Sequence, residues 1–171
     1  MTSSTDGGAD RAKPAPFWDV LGERPIGFTL VTAMGDEPVG FVGLSVAHVS
    51  AEPPLLSVAL DARNKALERI ERSGAFAINF LSAANEPVAR AFLKKGASAA
   101  ERFPPATWTT LVTGSPVLPD ASGVFDCQVE RVVDLGHAKL VVGRVVGSRA
   151  SGQDSPLVFF RGALCPTPPT G

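Results

Sequence analysis

The sequence predicts a mainly β fold, a closed or nearly closed antiparallel barrel with short peripheral helices. Six or seven segments have the apolar, β-branched or alternating character of strands, whereas only two show helical periodicity. The 17 glycines and 15 prolines are typical of a fold with many turns. A doubly wound sheet would place a helix after each strand, and this chain does not alternate in that way.

The predicted strands follow one another between residues 26 and 160. The first two flank a turn at Met34–Pro38 and therefore predict a hairpin. Pro53 and Pro54 mark the start of the third strand, because proline cannot donate to a sheet ladder. The strands are expected at Ile26–Ala33, Val39–Ala47, Leu55–Leu60, Phe76–Leu81, Val124–Val133, Lys139–Val146 and Leu157–Phe160.

Two helices are expected between the strands. Lys65–Arg72 places its apolar residues on one stripe, and Gly74 is suited to end it. A second helix is expected after Ser82 or Asn85, either of which can cap it. The stretch Gly96–Pro119 is long for a structureless loop, so we expect it to carry short elements or function.

The length of 171 residues indicates one domain. The segments 1–16 and 165–171 are rich in small residues and proline, without a periodic apolar pattern. We expect them to be tails, disordered at the N-terminal end, around a domain at 17–164.

The charge balance limits the possible partners. A net charge of −1 lacks the positive field that nucleic acids or anionic membranes would require. Because no apolar run reaches the ~20 residues of a membrane span and no signal peptide is visible, we expect a cytoplasmic protein. The charged fraction, 19% against a usual ~25%, suggests that part of the surface does not face water.

Common catalytic motifs are missing from the sequence. It contains no GxGxxG after a strand, no GxxxxGK[ST] and no GxSxG. Cys127 and Cys165 lack metal-ligand spacing and are interpreted as incidental thiols, and two histidines alone cannot form a three-histidine metal site. An enzymatic activity would therefore depend on a bound organic cofactor.

Seven segments occur in a characteristic order: RPIGFTLVTA, PVGFVGLSVAHVSAEPPLLSVALD, SGAFAINFLSAANEPVARAF, ERF, GSPVLPDASGVFDCQVE, GHAKLVVGRV and PLVFFRG. From about Arg24 to Gly162 they resemble the flavin reductase-like family, the reductase components of two-component flavin-dependent monooxygenases. The resemblance implies an FMN-binding split β-barrel of Greek-key type. It also implies an NAD(P)H:flavin oxidoreductase, a homodimer with flavin at its interface, and a separate oxygenase partner.

The resemblance also implies the flavin-binding positions. In the family's strand-and-loop pattern Ser45 and Ser50 are kept, whereas Val42 and His48 replace a threonine and a serine. Arg102 and Phe103 match an Arg-Phe pair that lies near the cofactor in the family. The full set of implied flavin-binding residues is Thr29, Val31, Thr32, Gly43, Leu44, Ser45, His48, Val49, Ser50, Ala62, Arg63, Asn64, Lys65, Arg102 and Phe103.

Helix electrostatics supports part of this set. A helix start offers free N–H groups and a positive dipole to the phosphate of FMN. Arg63 and Lys65 flank such a start, and Asn64 is suited to cap it. The alternative is that both cations are ordinary solvated charges.

His137 is the candidate catalytic residue. The family's Gly-Asp-His motif lies before the penultimate strand, near the nicotinamide, and this chain has Gly136-His137-Ala138 there, one position early. His137 is therefore either a nicotinamide-site residue or an exposed turn histidine. His48 is either a flavin contact or a packed barrel histidine.

The implied reaction transfers a hydride from nicotinamide C4 to flavin N5, with the protein aligning the two rings. The sequence does not decide whether the flavin is FMN or FAD, or whether the nicotinamide nucleotide is NADH or NADPH. Two alternatives stay open: a flavoenzyme of the pyridoxamine-phosphate-oxidase type, and a non-enzymatic flavin- or haem-binding barrel.

Overall fold

Two antiparallel sheets make up most of the computed structural model, which describes residues 16–152 and 155–166. The strands are β1 Ile26–Gly27, β2 Thr29–Met34, β3 Pro38–Val42, β4 Ala47–Ala51, β5 Pro54–Asp61, β6 Ala75–Phe80, β7 Gly123–Asp134, β8 Ala138–Ala150, β9 Leu157–Phe160 and β10 Ala163–Pro166. The helices are α1 Phe17–Gly22, α2 Lys65–Ser73, α3 Glu86–Leu93 and α4 Ala99–Arg102, with a 3₁₀ turn at Ala83–Asn85.

The larger sheet has seven strands in the order β3-β2-β6-β7-β8-β5-β4, and the smaller one has the order β1-β9-β10. Strands β3 and β4 lie at opposite edges of the larger sheet although they follow each other in the chain. In a flat sheet about 29 Å would separate them, at about 4.8 Å per strand. The chain from Val42 to Ala47 spans at most about 18 Å. The sheet must therefore roll into a nearly closed barrel, as predicted.

The first two predicted strands differ from the observed ones. Ile26–Ala33 is divided at Phe28, whose N–H donates to the Leu157 carbonyl (2.7 Å) and whose carbonyl accepts from the Leu81 N–H (3.0 Å). The chain thereby passes from the smaller sheet to the barrel. The expected strand Val39–Ala47 was too long: β3 ends at Val42, the chain turns, and Ala47 begins β4.

The two predicted helices are confirmed, with their caps. The Asn64 side chain accepts from the Ala66 N–H, and Gly74 ends α2 with a φ of 66°. Ser82 and Asn85 form a capping box around the 3₁₀ turn that leads into α3. Because a left-handed φ is unfavourable for residues with a Cβ, Gly74 is suited to its position.

Other elements were not predicted. Helix α1 and strand β10 were missed, and β10 runs to Pro166, two residues into the expected C-terminal tail. The remainder of that tail, 167–171, and residues 1–15 of the expected N-terminal tail lie outside the described residues.

The segment Gly96–Pro119 carries short elements, as expected. It contains α4 and an isolated bridge between Thr109 and Val117. Fully buried Asp126 holds the segment to β7, accepting from the N–H groups of Val112 (2.7 Å) and Thr113 (2.8 Å) and from the Thr113 hydroxyl. These bonds compensate the desolvation of the buried carboxylate.

Both faces of the barrel sheet are covered. On β2, Leu30 packs in one buried cluster with Phe28 and Phe92, whereas Val31 packs in a second cluster with Ile70 and Phe76. Successive strand residues point to opposite faces, so each face has its own core.

A substitution of Gly143 in β8 tests this packing. A Cβ there would lie 2.4 Å from Cζ of buried Phe76 and 2.9 Å from Cβ of Cys127. We expect Gly143→Ala to lower the free energy of unfolding by about 1–3 kcal/mol through overpacking. Gly27→Ala is the control, because nothing lies within 4 Å of its added Cβ. Urea midpoints that are equal for the two variants would contradict this account of the core.

Candidate functional site

A cleft of about 1010 Å³ lies between the barrel and the smaller sheet. This volume reaches the upper end of the ~300–1,000 Å³ usual for small-molecule sites. One wall belongs to the barrel and its β3–β4 turn: Val42, Leu44, Ser45, Ala59 and Ala138. The rest of the lining comes from Leu93 of α3 and from α1, the smaller sheet and the segments joining them: Phe17, Trp18, Leu21, Gly22, Arg24, Ile26, Phe159, Arg161 and Gly162.

The β3–β4 turn, residues 43–46, is fixed to strands on both sides. The Gly43 N–H donates to the Thr29 carbonyl (2.9 Å). The Ser45 hydroxyl donates to the Ala59 carbonyl (2.7 Å) and accepts from the Ala59 N–H (3.0 Å). These bonds leave Leu44 and Ser45 in the cleft wall, but the Gly43 N–H already has its partner. A Cβ at Gly43 would lie 2.6 Å from Val31 Cγ2, so packing alone accounts for this glycine.

A second group of predicted residues gathers where β5 ends and α2 begins. We call it the α2 corner: Asp61, Ala62, Arg63, Asn64, Lys65 and His137. The Ala62 N–H donates to the His137 carbonyl (3.0 Å), which places the histidine beside the helix start. Asp61 follows cleft-lining Ala59 by two residues, about 7 Å along the strand. The corner therefore continues the barrel wall of the cleft.

The charges of the α2 corner are partly paired. Arg63 Nε and Nη2 donate to the two carboxylate oxygens of Asp61 (3.0 and 2.9 Å), and the Arg63 N–H donates to Oδ1 (2.8 Å). The Arg63 side chain, its backbone N–H and the nearby His137 lower the pKa of Asp61 to about 2. Lys65 makes no ion pair within the described part of the chain.

The predicted site residues that lie on β2, Thr29, Val31 and Thr32, are buried in the core. Val31 is fully buried, and the Thr29 hydroxyl donates to the Gly27 carbonyl (3.1 Å). The Thr32 hydroxyl donates to the Pro116 carbonyl (2.5 Å) and accepts from Asn79 Nδ2 (3.3 Å). The structure thus places these side chains behind the cleft wall, in packing and hydrogen-bonding roles.

The predicted residues of β4 also lie away from the cleft. His48 is exposed on this edge strand and pairs with Leu56, so the packed-histidine alternative does not hold. Val49 sits in a bulge and is 48% exposed. The Ser50 hydroxyl donates to the Pro53 carbonyl.

Arg102 and Phe103 belong to an aromatic cluster outside the cleft. The Phe103 ring lies 5.5 Å from Phe92 and 4.9 Å from Trp108, between ring centroids. The Arg102 guanidinium carbon lies 5.7 Å from the centre of the Phe92 ring. Phe103 and Trp108 border a separate, smaller cavity of about 220 Å³.

Sequence reasoning missed most of the second cleft wall. Phe17, Val20 and Leu21 follow Pro16 with the i, i+3, i+4 spacing of a helix, a signal that was available. The roles of Arg24 and Arg161 depend on contacts between distant segments, which the sequence does not display.

The described residues hold neither a candidate metal centre nor a helix that could span a membrane. Residues 16–152 and 155–166 contain no group of three or more His, Cys, Asp or Glu that could hold a metal ion. Of the helices in this part of the chain, none is long and apolar enough to cross a membrane. Cys127 and Cys165 are free thiols, and burial is the main cause that raises the pKa of Cys127 to about 12.

Residues 21–168 match the family described as flavin reductase like domain. The chain belongs to this family. The resemblance inferred from the ordered sequence segments is therefore confirmed.

Curated relatives and solved structures agree with the family assignment. The chain is 33% identical over 148 residues to the FMN reductase (NADH) RutF of Bradyrhizobium diazoefficiens, covering 86% of this chain and 82% of the relative. It is 34% identical over 166 residues to HsaB, a flavin-dependent monooxygenase reductase subunit of Rhodococcus jostii. This match covers 95% of this chain and 84% of the relative. The crystal structure of BorF, the flavin reductase component of a bacterial two-component tryptophan halogenase, superimposes with a TM-score of 0.81 at 25% identity, covering 88% of this chain and 96% of BorF. The split-barrel fold is confirmed by this likeness.

The ion pair between Arg63 and Asp61 in the α2 corner can be tested by removing the arginine. In Arg63→Ala we expect the pKa of Asp61 to rise from about 2 most of the way to its ordinary 3.8, because the side-chain hydrogen bonds are lost while the backbone donor remains. In the unaltered chain the ion pair persists above pH 3.8 and is lost as the pH falls through about 2. NMR titration of the Asp61 carboxyl carbon measures both values. An unchanged pKa in the variant would show that Arg63 does not form this pair in solution.

Proposed function

We propose that this chain is the NAD(P)H-dependent flavin reductase component of a two-component system, supplying reduced FMN or FAD to a separate monooxygenase. The observation that carries the proposal is that the α2 corner adjoins the large apolar cleft, since Asp61 pairs with cleft-lining Ala138, in a chain of the flavin reductase-like family. An apolar cleft suits a planar ring system, and a cationic helix start suits a phosphate.

The residues present fit a flavin nucleotide. Val42, Leu44, Ala59 and Ala138 give the barrel wall an apolar surface for a ring. The Ser45 hydroxyl keeps one lone pair beyond its two bonds to Ala59, enough to accept from a ring N–H. When bound, flavin supplies the redox chemistry, accepting a hydride from the reduced nicotinamide.

At the other end, Arg63 and Lys65 would hold the phosphate. Arg63 is 91% exposed in its side chain, so its guanidinium can turn from Asp61 towards a ligand at little cost. Asn64 fixes the start of α2 by capping the Ala66 N–H and thereby orients the helix dipole towards the same place. His137, in the same corner, stays the candidate residue for contact with the nicotinamide.

The activity is tested by anaerobic titration of the chain with FMN or FAD, followed by NADH or NADPH. We expect rapid bleaching of the flavin band above the rate of free flavin. Binding without bleaching would favour the non-enzymatic barrel, and bleaching only by a pyridoxamine-type substrate would favour the oxidase alternative. Either result would contradict the proposed reductase.

Removing the corner's cations tests the placement of the phosphate. In the double variant Arg63→Ala, Lys65→Ala we expect the Kd for FMN to rise about tenfold, the loss of about 1.4 kcal/mol of charge-assisted binding. The Kd for riboflavin, which lacks the phosphate, should not change. Lys95→Ala is the control, because this exposed lysine lies outside the cleft and the corner. Equal losses for FMN and riboflavin would contradict a phosphate at this corner.

We also propose a cytoplasmic homodimer. The low charged fraction and the edge strand β4, which exposes Val49, support a surface covered by a second copy. Light scattering at micromolar concentration should give twice the chain mass, and Val49→Asp should shift it towards the monomer. Leu135→Asp, an equally polar change at a 60% exposed residue of the β7–β8 turn, should leave the dimer intact. A monomeric unaltered chain would contradict the proposal.

A further inference from the structure

Helix α1 lines the cleft without packing into either core. None of its residues is buried, and Phe17 and Trp18, which line the cleft, are 70% and 75% exposed. A helix that belongs to the body of a protein buries an apolar stripe, whereas Val20 and Leu21 are also exposed here. Segments with few buried apolar contacts are those that open locally at low free-energy cost. The position of α1 therefore depends on its attachments to the rest of the chain.

Arg161, in the β9–β10 turn, attaches the C-terminal end of α1 to the smaller sheet. Its N–H donates to the Gly22 carbonyl (3.3 Å), and its Nε and Nη2 donate to the two carboxylate oxygens of Glu23 (3.0 and 2.6 Å). We call the Glu23–Arg161 ion pair the latch. The side chains of Glu23 and Arg161 are 59% and 63% exposed, so solvent screens their attraction and the latch can break at little cost.

The backbone of the β9–β10 turn is unfavourable for an arginine. Arg161 and Gly162 are the two residues between the paired Phe160 and Ala163, and both have a left-handed φ, 47° and 80°. Glycine, asparagine and aspartate are preferred at both positions of such a turn. A residue kept in a sparsely populated conformation points to a function of its side chain. Here the side chain makes the latch, and its guanidinium carbon also lies 5.0 Å from the centre of the Phe160 ring.

A hollow of about 390 Å³ adjoins the latch. Its lining comes from α1, Glu23 and the β9–β10 turn: Trp18, Asp19, Gly22, Glu23, Arg161 and Gly162. Asp19 is exposed there and makes no ion pair within residues 16–152 and 155–166. Helix and turn therefore meet at the latch with open space beside it, which leaves α1 room to move.

We propose that α1 is a lid on the cleft. The latch holds the lid closed, the lid opens when the ion pair breaks, and this opening sets how fast flavin enters and leaves. The inference rests on the proposed function, because a reductase that passes its product to a separate oxygenase must open its site in every turnover. Only Arg24 and Pro25 separate Glu23 from β1, so the opening is a rotation about these two residues.

The test measures the association and dissociation rates of oxidised FMN on the full chain, by stopped-flow flavin fluorescence without nicotinamide. Glu23 does not line the cleft, so Glu23→Gln acts on a ligand there only through the latch. We expect both rates to rise about threefold and the Kd to stay within about twofold, because a lid controls passage in both directions. Loss of a direct ligand contact would raise the dissociation rate alone.

Removing the other half of the latch should have the same effect. In Arg161→Asn we expect both rates to rise about threefold, since asparagine suits the left-handed turn and only the guanidinium is lost. The double variant Glu23→Gln, Arg161→Asn should be no faster than either single variant, because each already breaks the pair. Light scattering should give all three variants the mass of the unaltered chain.

Two controls separate the latch from other charge effects. Asp19→Asn removes the same charge from α1 but breaks no ion pair, so both rates should be unchanged. Glu130→Gln breaks the pair with Arg144, which has the same two-bond geometry and lies outside the cleft, and it should also leave both rates unchanged. With uncharged riboflavin, about 1 M salt should speed both rates in the unaltered chain but not in Glu23→Gln.

Four results would overturn the lid. One is unchanged rates in Glu23→Gln and Arg161→Asn, and another is a rise of the dissociation rate alone, which would make α1 a fixed wall. The third is an equal acceleration in Asp19→Asn, which would leave only the attraction of an anionic ligand. The fourth is a change of mass in the latch variants, which would make α1 a subunit contact. Flavin binding is measured without turnover, so absence of flavin bleaching by NADH or NADPH in the unaltered chain contradicts the proposed function separately.

Discussion

The four residues that join β3 to β4 impose the shape of the molecule. They connect strands at opposite edges of a seven-stranded sheet, and the sheet can accommodate so short a link only by rolling up. The Gly43 N–H on the Thr29 carbonyl and the Ser45 hydroxyl on the backbone of Ala59 fix the link to β2 and β5. The cleft then forms beside the join, because Leu44 and Ser45 of this link line it.

The same residues thus serve the fold and the candidate site. Two of the Ser45 hydroxyl's hydrogen-bonding positions are taken by Ala59, and the backbone N–H of Gly43 is taken by Thr29. The wall therefore offers a ligand a rigid, mainly apolar surface with few free donors. Val42, where the family pattern has threonine, extends that apolar character.

The parts of the structure that depend on local chemistry could be predicted from the sequence. Helix α2 lies where Asn64 and Gly74 indicate, because a cap acts on residues two to four positions away. The division of the first strand at Phe28 depends on bonds to Leu157 and Leu81, which are distant in sequence. In the site, the same difference holds: residues 61–65 of the α2 corner were predicted as one segment. The contact of Ala62 with His137, and the pairing of Glu23 with Arg161 across 138 positions, depend on segments distant in sequence.

The exposure of the charged groups bears on how tightly a flavin would be held. Arg63 and Asp61 are 91% and 49% exposed in their side chains, so solvent would screen their interaction with a phosphate bound at the proposed place. The apolar wall adds binding energy without anchoring either end of the ligand. A reductase that hands its product to a separate oxygenase needs such moderate affinity, because a deeply buried phosphate site would slow release. Cations at an exposed corner, and not within the barrel, would permit that exchange if they hold the phosphate as proposed.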